Sequence, residues 1–151
     1  EDPRLSNSRQ MAIVAIFEYM IGNTVRDVYS SHNTRLIRSK EDTLQAPYVV
    51  PYDFDFSGFV NTDYSIPDEK LQIANVRERL YRGFPKPLQE ITEVTAIFQK
   101  EKDAIYQMID KFDLLNSKTK KDLKNYLNGF FETIKSPEEV KRVFIYNARS
   151  E

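Results

Sequence analysis

The side chains best suited to chemistry in this sequence are an amide and two carboxylates that flank two short β-rich segments. Asn33 directly precedes the segment TRLIR, and Asp53 and Asp55 closely follow the segment YVV. If the two segments pair as an antiparallel hairpin, all three side chains lie at the same end of it. Magnesium takes oxygen ligands and retains waters and phosphate oxygens, so one or two carboxylates and an amide suffice to hold it. The pattern therefore predicts a magnesium site made of Asn33, Asp53 and Asp55.

A purely structural interpretation of the same aspartates stays open. Asp53 and Asp55 stand where a strand gives way to a loop, and aspartate there often accepts backbone hydrogen bonds as an N-cap or Asx-turn residue. Spacing alone favours this interpretation over the metal site. His32, the only histidine, precedes Asn33. A histidine in such a loop acts either as a general base or, more often, as a hydrogen-bonding residue that orients a neighbour.

The elements that would position these residues form a fold of α+β class that is mostly α. An apolar helical face predicts a first helix over residues 8–21, capped by Ser6 or Ser8 and ended by Gly22. The two β-rich segments then form a hairpin with a loop of about ten residues, followed by an ordered loop over residues 57–67.

The rest of the chain predicts a helical bundle. One helix should end at Gly83 within DEKLQIANVRERLYRG, and a long helix should run over about residues 87–112. A further helix begins at Ser117, and SPEE at residues 136–139 has the N-cap and N1 proline of another. We expect a single domain, 1–151, with the candidate site in residues 1–66 and the bundle in residues 67–151.

Three other clusters have both a functional and a structural interpretation: the arginines Arg77, Arg79 and Arg82; the lysines Lys118, Lys120, Lys121 and Lys124; and the aromatic residues Tyr48, Tyr52, Phe54, Phe56, Phe59 and Tyr64. The arginines could bind phosphate, the lysines could contact an anionic surface and the aromatic residues could stack on a nucleobase. The structural interpretation, which is favoured, has the arginines in surface ion pairs with Glu78 and its neighbours, the lysines on a solvated helix face and the aromatic residues packing the loop against the bundle.

Composition limits the partners. The 22 basic and 23 acidic residues among 151 nearly cancel, so no field of the whole protein favours nucleic acid or an anionic membrane. The longest apolar run, residues 11–17, is too short to span a bilayer and lacks the features of a signal peptide. Without cysteine the chain has neither disulfides nor a thiolate metal site, and its compartment and oligomeric state stay open.

The segment YMIGNTVRDVYSSHNTRLI, followed after a loop by YVVPYDFDFSG, resembles the catalytic core of the atypical kinases of the HipA, spore-coat CotH and phosphatidylinositol kinase types. The resemblance covers residues 11–58, about a third of the chain. It implies a phosphotransferase that uses Mg²⁺ and ATP, with Asn33 and Asp53 as metal ligands and Asp55 as a second ligand or turn residue. PYDFDFSG together with VRERLYRG is also similar to a group of uncharacterised bacterial proteins.

The sequence departs from the kinase pattern in two places. The catalytic Asp of the family directly follows Asn-Thr, where this chain has Val25, and Asp27 takes that role if the loop shifts its register. The resemblance also implies an amino-terminal lobe with a glycine-rich loop and a phosphate-binding lysine. The residues before Met11 do not supply it, so we expect the chain to be the carboxy-terminal lobe of a longer protein.

Two hypotheses of different classes follow. The first is a kinase-like lobe that binds Mg²⁺ and a nucleotide at Asn33, Asp53 and Asp55, with Asp27 and His32 as candidate catalytic residues, and that is degenerate or inactive alone. The second is a non-enzymatic interaction module in which the helical half binds a partner and the aspartates only stabilise a turn.

Overall fold

The computed structural model describes residues 5–25, 32–42 and 44–149. The first helix, α1, runs over Ser8–Ile21, as the sequence predicts. Its cap is Asn7 rather than Ser6 or Ser8, because the Asn7 side chain accepts a hydrogen bond of 3.0 Å from the backbone N–H of Gln10. Gly22 ends the helix in the left-handed conformation, at a φ of 68° that glycine adopts without steric cost.

The predicted hairpin is present beside α1. Strand β1, Thr34–Ile37, pairs antiparallel with β2, Tyr48–Pro51, and Leu36 lies opposite Val49. Val49 is fully buried and packs with Met11 and Val14 of α1, which places the hairpin on the helix.

A side chain of α1 also covers the outer edge of β2. The backbone N–H of Tyr52 donates to the Asn33 carbonyl at 3.0 Å, so Leu36 and Val49 form a pair that is not hydrogen-bonded and the polar groups of Val49 face away from β1. The Gln10 amide meets them, accepting from the Val49 N–H at 2.9 Å and donating to the Val49 carbonyl. The edge strand is therefore hydrogen-bonded to the helix at its centre.

The carboxy-terminal half is the predicted helical bundle. Helix α2 spans Leu88–Lys111, α3 spans Ser117–Lys135 and α4 spans Pro137–Lys141, after which the chain makes a π-helical turn over Arg142–Tyr146. The Ser136 hydroxyl accepts from the N–H of Glu139 at 3.3 Å, and Pro137 follows it, which is the start that SPEE predicts.

Helix α1 shares its core with the bundle. Tyr19 of α1 meets Phe144 of the last turn edge-on with ring centroids 5.2 Å apart, and Phe144 meets Tyr81 at 4.9 Å. Phe98 of α2 and Phe130 of α3 are 5.6 Å apart. Burial of these aromatic rings, which supply large apolar surfaces, fixes α1 and the attached hairpin on the bundle.

The prediction of a helix that ends at Gly83 is wrong. Only Glu69–Leu71 is helical, as a short 3₁₀ turn, and Gln72 then takes a left-handed φ of 54° that ends it. From there to α2 the chain has no regular helix or strand. The Asn75 side chain accepts from the N–H of Arg77 at 2.9 Å and so stabilises a turn instead of a helix.

The structure confirms the α+β, mostly helical class, with one two-stranded antiparallel sheet among the described residues. In the same part of the chain, no helix combines the length and apolar character needed to cross a membrane.

Candidate cation site and adjacent cleft

The open end of the hairpin brings Asn33 and Asp53 together, as the sequence predicts. Both residues have left-handed backbones, with φ of 53° and 61°. The Asn33 side-chain nitrogen lies 3.5 Å from the Asp53 carbonyl oxygen, the outer limit of a weak hydrogen bond. If the amide nitrogen is directed at this carbonyl, the amide oxygen of Asn33 stays available as a ligand.

Asp53 is exposed, and no described residue forms a hydrogen bond or ion pair with its carboxylate. Asparagine and aspartate tolerate a left-handed backbone better than other side chains, although glycine adopts it most readily. The turn alone therefore requires no carboxylate at this position. A carboxylate without a protein partner is chemically able to bind a cation, and at least two of its lone-pair sites face solvent.

Asp55 has a different environment. Its carboxylate accepts a hydrogen bond of 3.0 Å from the Tyr64 hydroxyl, and its backbone carbonyl accepts from the hydroxyls of Thr62 and Ser65, both at 3.2 Å. The carboxylate raises the pKa of Tyr64 because it stabilises the protonated phenol. Asp55 thus closes the loop 55–65, but its carboxylate accepts from a side-chain hydroxyl and not, among the described residues, from the backbone N–H groups that an N-cap or Asx-turn residue would engage.

The remaining candidates are less directly placed. Asp27 lies outside the described residues. His32 is exposed and lies at the rim of a cleft next to the hairpin end. Across the described part of the chain, no three His, Asp or Glu side chains converge as a metal-binding group. A cation held by Asn33 and Asp53 would take its other ligands from water or from a bound molecule.

The cleft beside His32 measures about 450 Å³. One wall comes from the loop that follows α1, through Thr24 and Val25, and the other from the irregular segment 66–82. The lining is mainly apolar, with a few polar and charged side chains. Its described residues are Thr24, Val25, His32, Phe56, Ile66, Pro67, Asp68, Lys70, Leu71, Val76 and Arg82. The sequence analysis did not predict this cleft, because residues distant along the chain form it.

The arginines of VRERLYRG hold parts of the fold together. Arg79 donates to the carbonyl of Met20 at 3.1 Å and to that of Tyr126 at 2.6 Å, and its guanidinium lies 3.8 Å from the Tyr126 ring centre. Burial lowers the pKa of Arg79, since it disfavours the charged form. Arg82 donates to the Thr24 carbonyl. The predicted surface ion pair is therefore wrong for Arg79, whose guanidinium is engaged by two backbone carbonyls and the Tyr126 ring.

Arg77 does form a surface ion pair, but its partner is Asp122 of α3 at 2.9 Å. It also lies against the Tyr126 ring, 4.6 Å from the centre. Tyr126 is thus in contact with two arginines. No local signal marks it, because its partners are nearly 50 positions away.

The segments DFSG and VRER meet at Gly58. The Gly58 N–H donates to the Gly22 carbonyl at 3.1 Å, which connects the loop to the end of α1. A Cβ atom on Gly58 would collide with the Val76 carbonyl and would lie 2.5 Å from the Tyr126 hydroxyl. Only glycine fits between these groups without displacing them.

The lysine and aromatic clusters follow the structural interpretation where contacts are present. Lys124 forms an ion pair with Asp110 of α2 at 2.7 Å, and Lys120 donates to the Asp110 carbonyl at 2.7 Å. Phe54 packs edge-on against Phe17 of α1, with ring centroids 5.6 Å apart. These contacts tie α3 to α2 and the aromatic loop to the core.

The chain was compared with models of known protein families, with curated proteins and with solved structures, and none of the three comparisons found a match. The resemblance of residues 11–58 to atypical kinases therefore stays a prediction. The support for a function comes from the hairpin end and the cleft.

Proposed function

We propose that the chain is a kinase-like phosphotransferase lobe whose hairpin end binds Mg²⁺ together with a nucleotide, ATP in the first instance. The observation that supports it best is the position of both residues at the hairpin end: the Asn33 side-chain nitrogen lies 3.5 Å from the Asp53 backbone carbonyl oxygen, and no described residue engages the Asp53 carboxylate. An amide oxygen and a carboxylate at one end of a hairpin are an oxygen-ligand pair that suits magnesium.

The proposal gives each residue of the hairpin end a distinct role. Asn33 and Asp53 would hold the cation, and Asp55 would position Asp53 by closing the loop through Tyr64, with its second carboxylate oxygen as a further ligand. A cation held by these residues would supply positive charge that offsets the negative charge of nucleotide phosphates. The kinase resemblance adds Asp27 as the carboxylate that orients the acceptor hydroxyl, and His32 as an orienting residue or base.

An interaction module remains a second candidate, with the hairpin rather than the helical half as the binding surface, because the outer face of the hairpin exposes several large apolar and aromatic side chains. Ile37 is 53% exposed, and Tyr48, Val50 and Tyr52 are each 38% exposed on the face opposite α1. A two-stranded sheet seldom leaves such a face uncovered unless another surface packs on it. Under this alternative, Asp53 would matter only for the turn.

A thermal-shift measurement with Mg²⁺ and ATP discriminates the two. At ligand concentrations ten times the dissociation constant, binding stabilises the fold by about 1.4 kcal/mol, which raises the melting temperature of a chain this size by roughly 3–6 °C. We expect Asp53→Asn to remove this shift. The matched control is Asp63→Asn, because Asp63 is an exposed aspartate of the neighbouring loop.

The kinase-like proposal fails if Mg²⁺ and ATP leave the melting temperature of the original chain unchanged. It also fails if Asp53→Asn lowers the melting temperature of the free protein but preserves the shift on adding Mg²⁺ and ATP. The interaction module predicts the first result, because it has no site for Mg²⁺ and ATP.

A further inference from the structure

The cleft beside His32 has the dimensions of a small-molecule site. Its volume of about 450 Å³ falls within the range of roughly 300–1,000 Å³ typical of ligand pockets. It is also built on fixed groups, since Val76 in its wall is only 6% exposed and Arg82 is hydrogen-bonded to the Thr24 carbonyl. These contacts tie two parts of the cleft wall to the rest of the fold.

Most of the lining is apolar, and part of it is unusually open to solvent. Phe56, Leu71 and Val76 contribute apolar walls, and Ile66 lines the cleft while remaining 77% exposed. The ring of Phe56 packs against the ring of Tyr64, with centroids 5.5 Å apart. An apolar body placed between these side chains would remove Ile66 and Phe56 from water, which is favourable.

The charged side chains that line the cleft differ in whether they have a partner within the protein. Asp68 is occupied as a helix cap, because its carboxylate accepts from the backbone N–H of Lys70 at 2.9 Å. The Lys70 side chain is exposed, and no carboxylate among the described residues pairs with it. Arg82 is also engaged within the protein, since it donates to the Thr24 carbonyl, whereas the Lys70 side chain has no partner among the described residues and is available to pair with an anion.

From this combination we infer that the cleft binds a small organic anion, consisting of an aromatic or aliphatic body and one phosphate or carboxylate group. The body packs between Phe56 and Ile66, and the anionic group pairs with Lys70 at the rim. The site is separate from the Asn33 and Asp53 pair and needs no cation. If the proposed phosphotransferase function holds, a molecule in this cleft lies beside the hairpin end and is placed as an acceptor.

Phenyl phosphate is a probe that carries both parts of the predicted ligand. We would titrate it into isotope-labelled protein in buffer with EDTA and follow backbone amide signals by NMR, beside parallel titrations with phenol and inorganic phosphate. We expect phenyl phosphate to shift the signals of Val25, Leu71 and Val76. Its dissociation constant should be at least about tenfold lower than that of either part, because the two contacts act together.

Two rim variants test the contacts without disturbing the core. Lys70→Gln should weaken phenyl phosphate binding by about three- to tenfold and leave phenol unchanged, since it removes only an exposed charge. Ile66→Ser should weaken phenol and phenyl phosphate alike. Lys118→Gln is the matched control, because Lys118 is an exposed lysine on α3 outside the cleft, and it should change neither affinity.

The inference is overturned if phenyl phosphate shifts no cleft signals, if the shifts concentrate on another surface, or if Lys70→Gln binds it as well as the original chain does. Because EDTA removes divalent cations, these outcomes are independent of the Mg²⁺ and ATP measurement. A failure of the cleft would leave the cation proposal standing, and the reverse also holds.

Discussion

Asp53 and Asp55 are separated by one residue in the sequence, yet their side chains have different contacts. Asp55 is engaged by Tyr64 and, through its carbonyl, by Thr62 and Ser65. The Asp53 carboxylate has no partner among the described residues, while its backbone carbonyl lies 3.5 Å from the Asn33 side-chain nitrogen. Asp55 therefore stabilises the loop, and the Asp53 carboxylate keeps its lone pairs for a ligand.

The Tyr64 titration tests the role of Asp55. The carboxylate raises the pKa of Tyr64 above its usual value near 10, so its hydrogen bond favours the folded state below that pH and is lost as pH rises through the folded pKa. Asp55→Asn should bring the pKa of Tyr64 back toward the usual value, measured by NMR of the Tyr64 ring carbon. An unchanged pKa would show that the bond is absent in solution.

At the scale of elements, the irregular segment 72–87 makes contacts with several parts of the fold that a regular helix could not make at once. Its arginine side chains reach the end of α1 and the middle of α3, and its backbone lies against Gly58 of the aromatic loop. A regular helix there would direct Arg79 and Arg82 to one face, with Arg77 on another. Tertiary hydrogen bonds therefore override the local helical tendency of DEKLQIANVRERLYRG.

Two arginines of this segment provide a matched pair. Arg79→Gln should lower the free energy of unfolding by about 2–4 kcal/mol, because it leaves carbonyl groups of Met20 and Tyr126 without their charged donor. Arg77→Gln should cost no more than about 1 kcal/mol, since it removes a partly exposed ion pair with Asp122. Urea unfolding measures both. Equal losses would contradict the bracing role of Arg79.

Gly58 tests the junction of the loop with the same segment. Gly58→Ala should destabilise the fold by about 1–3 kcal/mol, because the added methyl group must displace the Val76 carbonyl or the Tyr126 hydroxyl. A harmless Gly58→Ala would mean that the loop and the arginine segment are not packed as described.

Much of the fold could be predicted because its signals are local. The face of α1 with Gly22 at its end, the two β-rich segments and the SPEE start all depend on neighbours within a few residues, and each is present in the structure. The cap at Asn7 was missed because three polar residues in succession compete for that position.

The candidate site could be predicted only where the hairpin itself supplies it. Pairing of β1 with β2 brings Asn33 to Asp53, so their approach followed from strand order. The Tyr64 contact of Asp55 depends on how a loop folds back, and the cleft depends on segments more than 30 residues apart. Neither leaves a periodic pattern in the sequence.

At the scale of the whole molecule, one aromatic core joins the site-bearing half to the bundle. Tyr19 of α1 lies in this core, and Tyr126 of α3 is buried against Arg77 and Arg79. Burial raises the pKa of both phenols because it disfavours the phenolate. The hairpin end is therefore held through α1 by the bundle rather than by the two-stranded sheet alone.

The core predicts how the molecule responds to alkali. Since the folded pKa values of Tyr19 and Tyr126 lie above the usual value near 10, the folded state is favoured below that pH and loses stability as pH rises through them. Ultraviolet titration should show exposed tyrosines ionising first and a late phase that coincides with loss of helical circular dichroism. A single early phase with the helices intact would contradict the buried placement.

Paramagnetic NMR with Mn²⁺, a cation that prefers the same oxygen ligands as Mg²⁺, tests the central claim most directly. We predict that substoichiometric Mn²⁺ selectively broadens the amide signals of Asn33 and Asp53. Excess Mg²⁺ should restore them, Asp53→Asn should abolish the effect, and Asp63→Asn should preserve it. Broadening that is confined to other acidic residues, or that persists unchanged in Asp53→Asn, would contradict a cation site at the hairpin end.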